Sequence, residues 1–451
     1  PISQAILSKA GVGSLSSYLS GTVVLAPLVY QVPATGPSEL TIKADLKQAR
    51  LAIPEIKWEK AAGADGQATI GARFSGGPVP ASTEFDVRAG DLSAAGRVEL
   101  RAPDSQFVRA TLSRVALGRT NVSGELRRTD TGYVADIRGQ ALDVARFLED
   151  EKQAPRPDPN APARPPSGPV VTVSLDVGQV LLKRGALPAV KGTLTRRGER
   201  TVAADLQFTP SAAGPTRVTL KPQGNGRQLD VKSPDAGGLL QAAGWLDGLV
   251  GGDLDVAGQI DDSKADPPMT LRVEMKKFRI APTPAAAGRD VGTLNGVVEQ
   301  IDKAGNAGQM FGKLEARIDK AGGKLTIRNA QTSGDSVGIT AQGTYLLDRE
   351  EICLAGAVTP AYVLNAFLSN IPIIGWILTG GEGRGVFAIN YTVRGPIDNP
   401  KGEVNAATAI TPGFLRRMME GSCGISSATD QTGSIEGVRS LEERQMDRIG
   451  H

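Results

Sequence analysis

The chain has 451 residues, enough for several compact domains or for one long repetitive one. Its 51 Lys and Arg residues nearly balance 48 Asp and Glu residues, which argues against a nucleic-acid partner. The only histidine is His451, so a Ser-His-Asp triad and a histidine-ligated zinc are excluded. Cys353 and Cys423 lack metal-ligand spacing, and we expect both to be reduced or incidental. The composition predicts no metal and no cofactor.

The N-terminal region lacks the marks of a secretory signal. The chain starts at Pro1, without a methionine, a basic n-region or an apolar h-region. Ser and Gly interrupt the apolar residues of 6–30 too often for a membrane span. The missing start indicates a fragment whose true N-terminus, with any membrane anchor, lies upstream.

Period-two alternation of apolar and polar residues is the dominant pattern of the chain. Gly, Asp and Asn residues separate the runs at intervals of about ten residues, as at 303–306 and 320–323, which is typical of hairpins. The phase slips at Lys276-Lys277 and continues through Phe278, as a β-bulge requires. The pattern predicts a mainly β protein, an elongated, curved antiparallel β-sheet groove of repeated strand units with a few short apolar helices.

Composition divides the chain into four parts. Residues 1–150 form an upstream β-repeat segment. Residues 151–168 carry six prolines, whose missing amide donors forbid sheet pairing, so we expect a linker or an exposed loop. Residues 169–420 form the main β-groove region, and 421–451 are expected to be disordered. A weak repeat of a strand followed by a short apolar helix occurs at 142–148, at 229–249 and at 358–368.

Residues 352–381 contain no charge. Two apolar helical pieces, 361–368 and 371–378, are each too short to cross a hydrocarbon core, which needs about 20 residues. A true span remains an alternative, but a helical hairpin at 361–378 that packs on a sheet end or dips into a membrane surface is favoured. Arg416 and Arg417 could contact anionic headgroups, and the alternative is that they lie on a solvated helix face. The membrane-contact candidates are Tyr362, Phe367, Ile371, Ile373, Ile374, Trp376, Ile377, Leu378, Arg416 and Arg417.

No constellation of catalytic residues stands out. The pairs Asp261-Asp262 and Glu350-Glu351 occupy turns or strand ends, where solvated acids are the usual case, although a facing pair of glycosidase carboxylates is not excluded. The Gly-rich residues 380–385 precede a strand and lack the Gly-Lys-Ser/Thr of a phosphate loop, so they indicate a helix stop and a tight turn. We expect that the chain is not an enzyme.

A sheet with one apolar face must bury that face against protein or against another apolar partner. Aromatic residues make up only 4% of the chain, so the face is aliphatic and well matched to acyl chains. A dry two-layer protein core would give the same pattern. The candidates for lining a lipid groove are Leu271, Val273, Met275, Phe387, Ile389, Tyr391 and Val393.

Three long sequence segments, 235–258, 359–405 and 410–419, resemble the AsmA-like C-terminal region family of bacterial envelope proteins. The likeness is strong over 170–420 and looser over 39–150. The sequence departs from the family in two ways: it lacks the N-terminal membrane anchor, and its tail after Glu420 does not match the family. The resemblance implies a β groove in the periplasm, anchored in the inner membrane by an upstream segment.

In function, the resemblance implies movement of phospholipid between the inner and outer membranes of Gram-negative bacteria. The expected partners are phospholipids, a membrane surface and other envelope proteins. The alternative is a non-lipid structural or outer-membrane assembly factor with a closed β core. An enzyme acting on envelope polysaccharide is the third and weakest hypothesis.

Overall fold

The computed structural model describes residues 17–407, apart from 76–78, 102–105, 149–157, 159–160, 246–247, 281–308, 335–336, 361–387 and 398–399. Within this part the chain is almost entirely β-structure, as predicted. The strands are β1 (Leu19–Gly21), β2 (Val24–Gln31), β3 (Ser38–Asp45), β4 (Ala49–Ile53), β5 (Trp58–Lys60), β6 (Gly66–Phe74), β7 (Pro80–Ala89), β8 (Leu92–Arg101), β9 (Gln106–Leu117), β10 (Thr120–Arg128), β11 (Gly132–Asp143), β12 (Val170–Leu181), β13 (Ala186–Arg197), β14 (Arg200–Ser211), β15 (Gly214–Gln223), β16 (Gly226–Ser233), β17 (Leu249–Asp261), β18 (Met269–Ile280), β19 (Gln309–Ala321), β20 (Lys324–Gly334), β21 (Val337–Leu346), β22 (Glu351–Pro360), β23 (Ala388–Pro396) and β24 (Lys401–Ala407).

One sheet contains 21 of these strands. β2 pairs with β3, β3 pairs with β6, and from β6 to β24 each strand pairs with the next one in the chain. Among the described residues no pairing joins β24 to β2, so the sheet is open. With neighbouring strands about 4.8 Å apart, its surface extends for roughly 100 Å across the strands. β1, β4 and β5 form a separate three-stranded sheet.

One pairing differs from the predicted antiparallel sheet, because β11 and β12 run parallel. A parallel pair needs a connection long enough to bring the chain back along a whole strand, and residues 144–169 provide it. Gly132 lies so close to β12 that a Cβ atom there would be 1.9 Å from the carbonyl oxygen of Val170. The sheet therefore continues across the Pro-rich segment.

The prediction that residues 151–168 take no part in sheet pairing is wrong at one point. Pro162 forms an isolated antiparallel bridge with Lys264 in the turn between β17 and β18. The amide of Ala163 donates to the Ser263 carbonyl at 2.9 Å, and the amide of Ala265 donates to the Ala161 carbonyl at 2.9 Å. The bridge forms because its two hydrogen bonds use the Ala163 amide and the Ala161 carbonyl on either side of Pro162, so the missing donor of the proline costs nothing here.

The two rows of strand ends differ in their connections. At one row, which we call the hairpin rim, tight turns such as 198–199, 224–225 and 322–323 join the strands. At the other, the capped rim, the chain makes an excursion over residues 46–65 and forms two α-helices. These are α1 (Ala145–Leu148) and α2 (Ala236–Ala242), and a 3-10 helix (Pro54–Ile56) lies within the excursion. The connections from β18 to β19 and from β22 to β23 also leave from the capped rim.

The first predicted strand-then-helix unit is confirmed by α1, and the second has different bounds. α2 starts after Asp235, whose carboxylate accepts from the Gly238 amide at 2.9 Å and caps the helix. It ends at Ala242 because Gly244 takes a positive φ of 71°. Leu249, predicted to end this helix, is instead the first residue of β17. The third unit's helix, like the hairpin 361–378, lies outside the described residues.

Candidate functional site

Strand register identifies one face of the sheet as apolar across its whole extent, because directly opposed residues of neighbouring strands point to the same side. One row of opposed residues, the central row, passes through all 21 strands and contains no charged residue. It consists of Tyr30, Leu40, Ala72, Thr83, Val98, Ala110, Leu126, Ala135, Val173, Leu194, Ala204, Leu220, Leu229, Gly258, Leu271, Ile318, Ile327, Gly343, Leu354, Val393 and Gly402.

The opposite face carries most of the charges of the strands. Arg217 and Asp205 form two hydrogen bonds of 3.0 and 2.7 Å between β15 and β14. The bond from Arg217 lowers the pKa of the Asp205 carboxyl, and Lys276 lowers the pKa of Glu274 in the same way. Ion pairs of this kind recur along the sheet and keep this face polar. The sheet therefore has one mainly apolar face and one charged face.

The apolar face is driest at the capped rim. Met275, Phe278 and Phe311 are buried there with Ala236 of α2, and the two phenylalanine rings stack with centroids 5.2 Å apart. Phe278 follows Met275 on this face because Lys277 has a positive φ of 55°, which confirms the predicted phase slip. The predicted β-bulge is wrong, since the pairing with β19 stays one to one through Lys277, with Phe278 opposite Phe311. Met275, Phe278 and Phe311, with the neighbours packed against them, form the Phe278 cluster.

A second cluster lies on the other side of α2, in strands β12 to β14. Val177, Val190 and Phe208 are buried, and Leu239 of α2 packs against them. This Phe208 cluster also lies at the capped rim. α2 thus covers the apolar face on both of its sides.

The excursion 46–65 covers the apolar face of the first strands in the same way. Trp58 is buried against Leu92 and Leu117, and its indole nitrogen donates to Asp91 at 2.8 Å. Lys60 is only 3% exposed, and its ammonium donates to the carbonyls of Leu46, Ala49 and Ala61 at 2.9, 2.8 and 3.1 Å. A buried lysine held by three carbonyls fixes the loop of the excursion.

Away from the capped rim, most of the apolar face is only partly covered. Four of the five buried clusters join neighbouring strands with α2 or the excursion, and the fifth joins β21, β22 and β23; among the described residues none joins strands from distant parts of the sheet. Leu271 and Val273 of β18 are half-buried, as are Val231 and Val256 on the two preceding strands. Much of the middle of the sheet is therefore a partly exposed aliphatic surface. The buried hydrophobic residues of the central row are Ala72, Ala110, Leu220 and Val393.

The seven groove candidates divide between these environments. Leu271, Val273 and Met275 share the apolar face of β18, with Met275 inside the Phe278 cluster and the other two half-buried. Tyr391 and Val393 are buried on the same face of β23, five strands away. Phe387 lies outside the described residues, and Ile389 is a residue of β23 opposite Val358.

Tyr391 is held more tightly than a groove residue would need to be. The Tyr391 hydroxyl donates to the carbonyl of Thr340 at 2.9 Å. A Cβ atom at Gly356 would lie 2.5 Å from the hydroxyl oxygen of Tyr391. Burial raises the pKa of the Tyr391 hydroxyl. The Tyr391 side chain therefore packs β21, β22 and β23 together.

All ten membrane-contact candidates, Tyr362 to Leu378 together with Arg416 and Arg417, lie outside the described residues. In the part of the chain that is described, no helix is long and apolar enough to cross a membrane. The same part contains no group of three or more His, Cys, Asp or Glu residues that could hold a metal ion.

Cys353 of β22 is disulfide-bonded. The expectation of a reduced or incidental cysteine is therefore wrong for Cys353, and Cys423 lies outside the described residues. Their separation of seventy residues in sequence gave no framework from which a pairing could be predicted, because only the fold decides which cysteines meet.

Sequence reasoning also missed two arginines that project from the apolar face. Arg128 and Arg196 lie at the hairpin rim, two residues beyond the central row on β10 and β13. Their signal was present in the sequence, because each continues the apolar phase of its strand past Leu126 or Leu194.

The chain matches no protein-family model, no curated protein and no solved structure.

Proposed function

We propose that this chain is the periplasmic part of an AsmA-like envelope protein that carries phospholipid acyl chains along its apolar face between the inner and outer membranes. The central row supports this most directly, since an uncharged path crosses 21 strands of an open sheet. An acyl chain of about sixteen methylenes gains roughly 12 kcal/mol on burial. That attraction is non-directional, so a lipid can slide from strand to strand without specific contacts.

The compartment belongs to the same proposal. A disulfide at Cys353 fits an oxidising location such as the periplasm. Anchoring in the inner membrane, contact of a membrane surface with the apolar hairpin, and other envelope proteins as partners rest on the resemblance alone. We propose no catalytic activity and no cofactor.

The rival function is a structural or assembly factor with a closed β core. It requires a second layer over the whole apolar face, which would bury Val256 and Val273 as deeply as Phe278. Both residues are buried only in part, which favours the lipid-carrying function.

The test compares two neighbouring residues of β17. Val256→Asp places a carboxylate on the apolar face, and Ala257→Asp places one on the polar face. We expect phospholipid to co-purify with the parent protein and to be lost from Val256→Asp, because a charge on the path is costly to desolvate. Extraction and mass spectrometry measure the lipid, and circular dichroism checks that both variants fold.

Two results would favour the closed-core rival. The first is a parent protein from which no lipid can be extracted. The second is a Val256→Asp protein that fails to fold while Ala257→Asp folds normally, since a dry core does not accept a carboxylate.

A further inference from the structure

The outermost row of the apolar face carries positive charge between β10 and β13. Arg128, Tyr133, Val171 and Arg196 are directly opposed on the four neighbouring strands, so all four side chains leave the sheet on the apolar face. Arg128 and Arg196 are exposed, and three strand spacings of about 4.8 Å place them about 14 Å apart. Tyr133 lies between them, with its ring 6.1 Å from that of Phe107.

These two arginines are not neutralised by acidic side chains. Arg196 donates to the backbone carbonyl of Glu199 at 2.7 Å, and neither Arg128 nor Arg196 forms an ion pair with any described residue. Arg227, in the corresponding place on β16, is different. Its guanidinium makes two bonds of 2.8 and 2.7 Å to Asp262, and its side chain is only 12% exposed. Arg227 is thus neutralised by a carboxylate, whereas Arg128 and Arg196, within the described part of the chain, are not.

The distance from this row to the capped rim suits an acyl chain. From Arg196 to Val190, a member of the Phe208 cluster, the chain advances six residues along β13. At about 3.3 Å per residue this is about 20 Å, and one leaflet of a hydrocarbon core measures about 15 Å. A lipid with its headgroup at Arg196 could therefore lay its chains along the strands before it meets the dry cluster.

We propose that Arg128 and Arg196, with the Tyr133 hydroxyl between them, bind the phosphate of an anionic phospholipid whose acyl chains lie along β11 to β13 toward the capped rim. This inference rests on the proposed function and adds the orientation of the lipid and its headgroup class. Arginine suits the role because its planar guanidinium offers paired donors to phosphate. Headgroups then lie at the hairpin rim, beside the turns that follow β10 and β13.

The chain offers a matched control for the test. Arg127 and Arg197 are the sequence neighbours of the two arginines, on the same strands and at the same rim, but on the polar face. The double variants Arg128→Gln/Arg196→Gln and Arg127→Gln/Arg197→Gln therefore remove the same charge from opposite faces. The full chain is incubated with vesicles of phosphatidylglycerol or of phosphatidylcholine, and the retained lipid is counted by mass spectrometry.

We expect the parent protein to retain phosphatidylglycerol in preference to phosphatidylcholine. Arg128→Gln/Arg196→Gln should lower phosphatidylglycerol retention about tenfold or more, because each charged hydrogen bond lost at the phosphate accounts for roughly that factor. Arg127→Gln/Arg197→Gln should retain lipid as the parent does. Arg196→Lys keeps the charge without the paired donors and should give an intermediate loss, which also tests the site if the double variant folds poorly.

Several outcomes would overturn the site. Equal losses in both double variants would mean that net charge alone attracts the lipid, and no loss in either would mean that there is no site. Inorganic phosphate is titrated alone as a third arm, and phosphate binding that depends on Arg128 and Arg196 without any effect on lipid would mean a site for free anions. A parent that retains both lipids equally overturns this inference only, whereas a parent that retains neither overturns the proposed function.

Discussion

The capped rim and the middle of the sheet present the same kinds of side chain in different environments. Phe278, at the capped rim, is 1% exposed beneath α2, whereas Val273, five residues earlier on the same face of the same strand, is half-buried. Both residues continue one period-two pattern, interrupted only by the slip at Lys277. Their burial differs because α2 and the excursion 46–65 cover one rim of the apolar face and leave the rest open.

This difference separates the parts that hold the fold from the parts that are open to a ligand. Buried side chains at the capped rim contribute stability in proportion to the apolar area that they lose to protein. Half-buried side chains in the middle contribute less to stability and keep area that a lipid can cover. Stability and binding are therefore expected to respond to different substitutions.

The largest effect is expected from truncation inside the Phe278 cluster. Phe278→Ala should lower the free energy of unfolding by about 3–5 kcal/mol, because it removes a buried ring and leaves a cavity. Val273→Ala should cost about 1 kcal/mol, because its side chain is already in partial contact with solvent. Denaturant unfolding of both variants measures the contrast. Similar losses would show that the middle rows are as dry as the capped rim.

A smaller loss is expected when the excursion loses its buried cation. Lys60→Met keeps the aliphatic length of the side chain but leaves three carbonyls without their donor, at a cost of about 3 kcal/mol. Trp58 should then move to a more solvent-exposed environment, seen as a red shift of its fluorescence with Trp245 and Trp376 replaced by Phe. Lys47→Met is the control, since Lys47 forms only a surface pair with Asp65. An unshifted Trp58 in Lys60→Met would show that the lysine does not fix the excursion.

The sequence could predict the sheet and its apolar face because both follow from local alternation. It assigned Leu271, Val273 and Met275 to one face and located the slip at Lys276-Lys277, since a two-residue period breaks visibly there. It could not separate Met275 from Val273, because their burial depends on where α2 packs. Helix packing of this kind is a non-local contact that no pattern within β18 records.

Non-local pairing also explains the other corrections. The parallel register of β11 and β12 and the bridge at Pro162 each join segments that are far apart in the chain. Proline content gave no sign that the Ala163 amide and the Ala161 carbonyl, on either side of Pro162, pair with the β17–β18 turn. Arg128 and Arg196 were overlooked because the opposite face is rich in arginine, and only the register separates the two groups.

Two adjacent lysines sharpen the comparison further, because glycine should have opposite effects on them. Lys277 has a left-handed backbone, which costs a residue with a Cβ atom about 1 kcal/mol, so Lys277→Gly should raise the free energy of unfolding by up to about 1 kcal/mol. Lys276 has no positive φ, and Lys276→Gly should lower it by about 0.5–1 kcal/mol through added backbone freedom. Denaturant midpoints measure both. A loss in each variant would contradict the left-handed backbone at Lys277 that brings Phe278 under α2.

The smallest effect is expected on the polar face, where Asp205 pairs with Arg217. Arg217 lowers the pKa of Asp205 in the folded protein, so the pair stabilises the fold at neutral pH, and this contribution is lost as the pH falls through that lowered pKa. Because the pair is exposed, Asp205→Asn should lower the thermal midpoint by no more than about 2 °C at pH 7, and the difference should shrink in acid and in high salt. Thermal scans at several pH values provide the measurement. Lipid retention should be unchanged in this variant, since Asp205 lies on the polar face, and a clear loss of lipid would show that the two faces do not act independently.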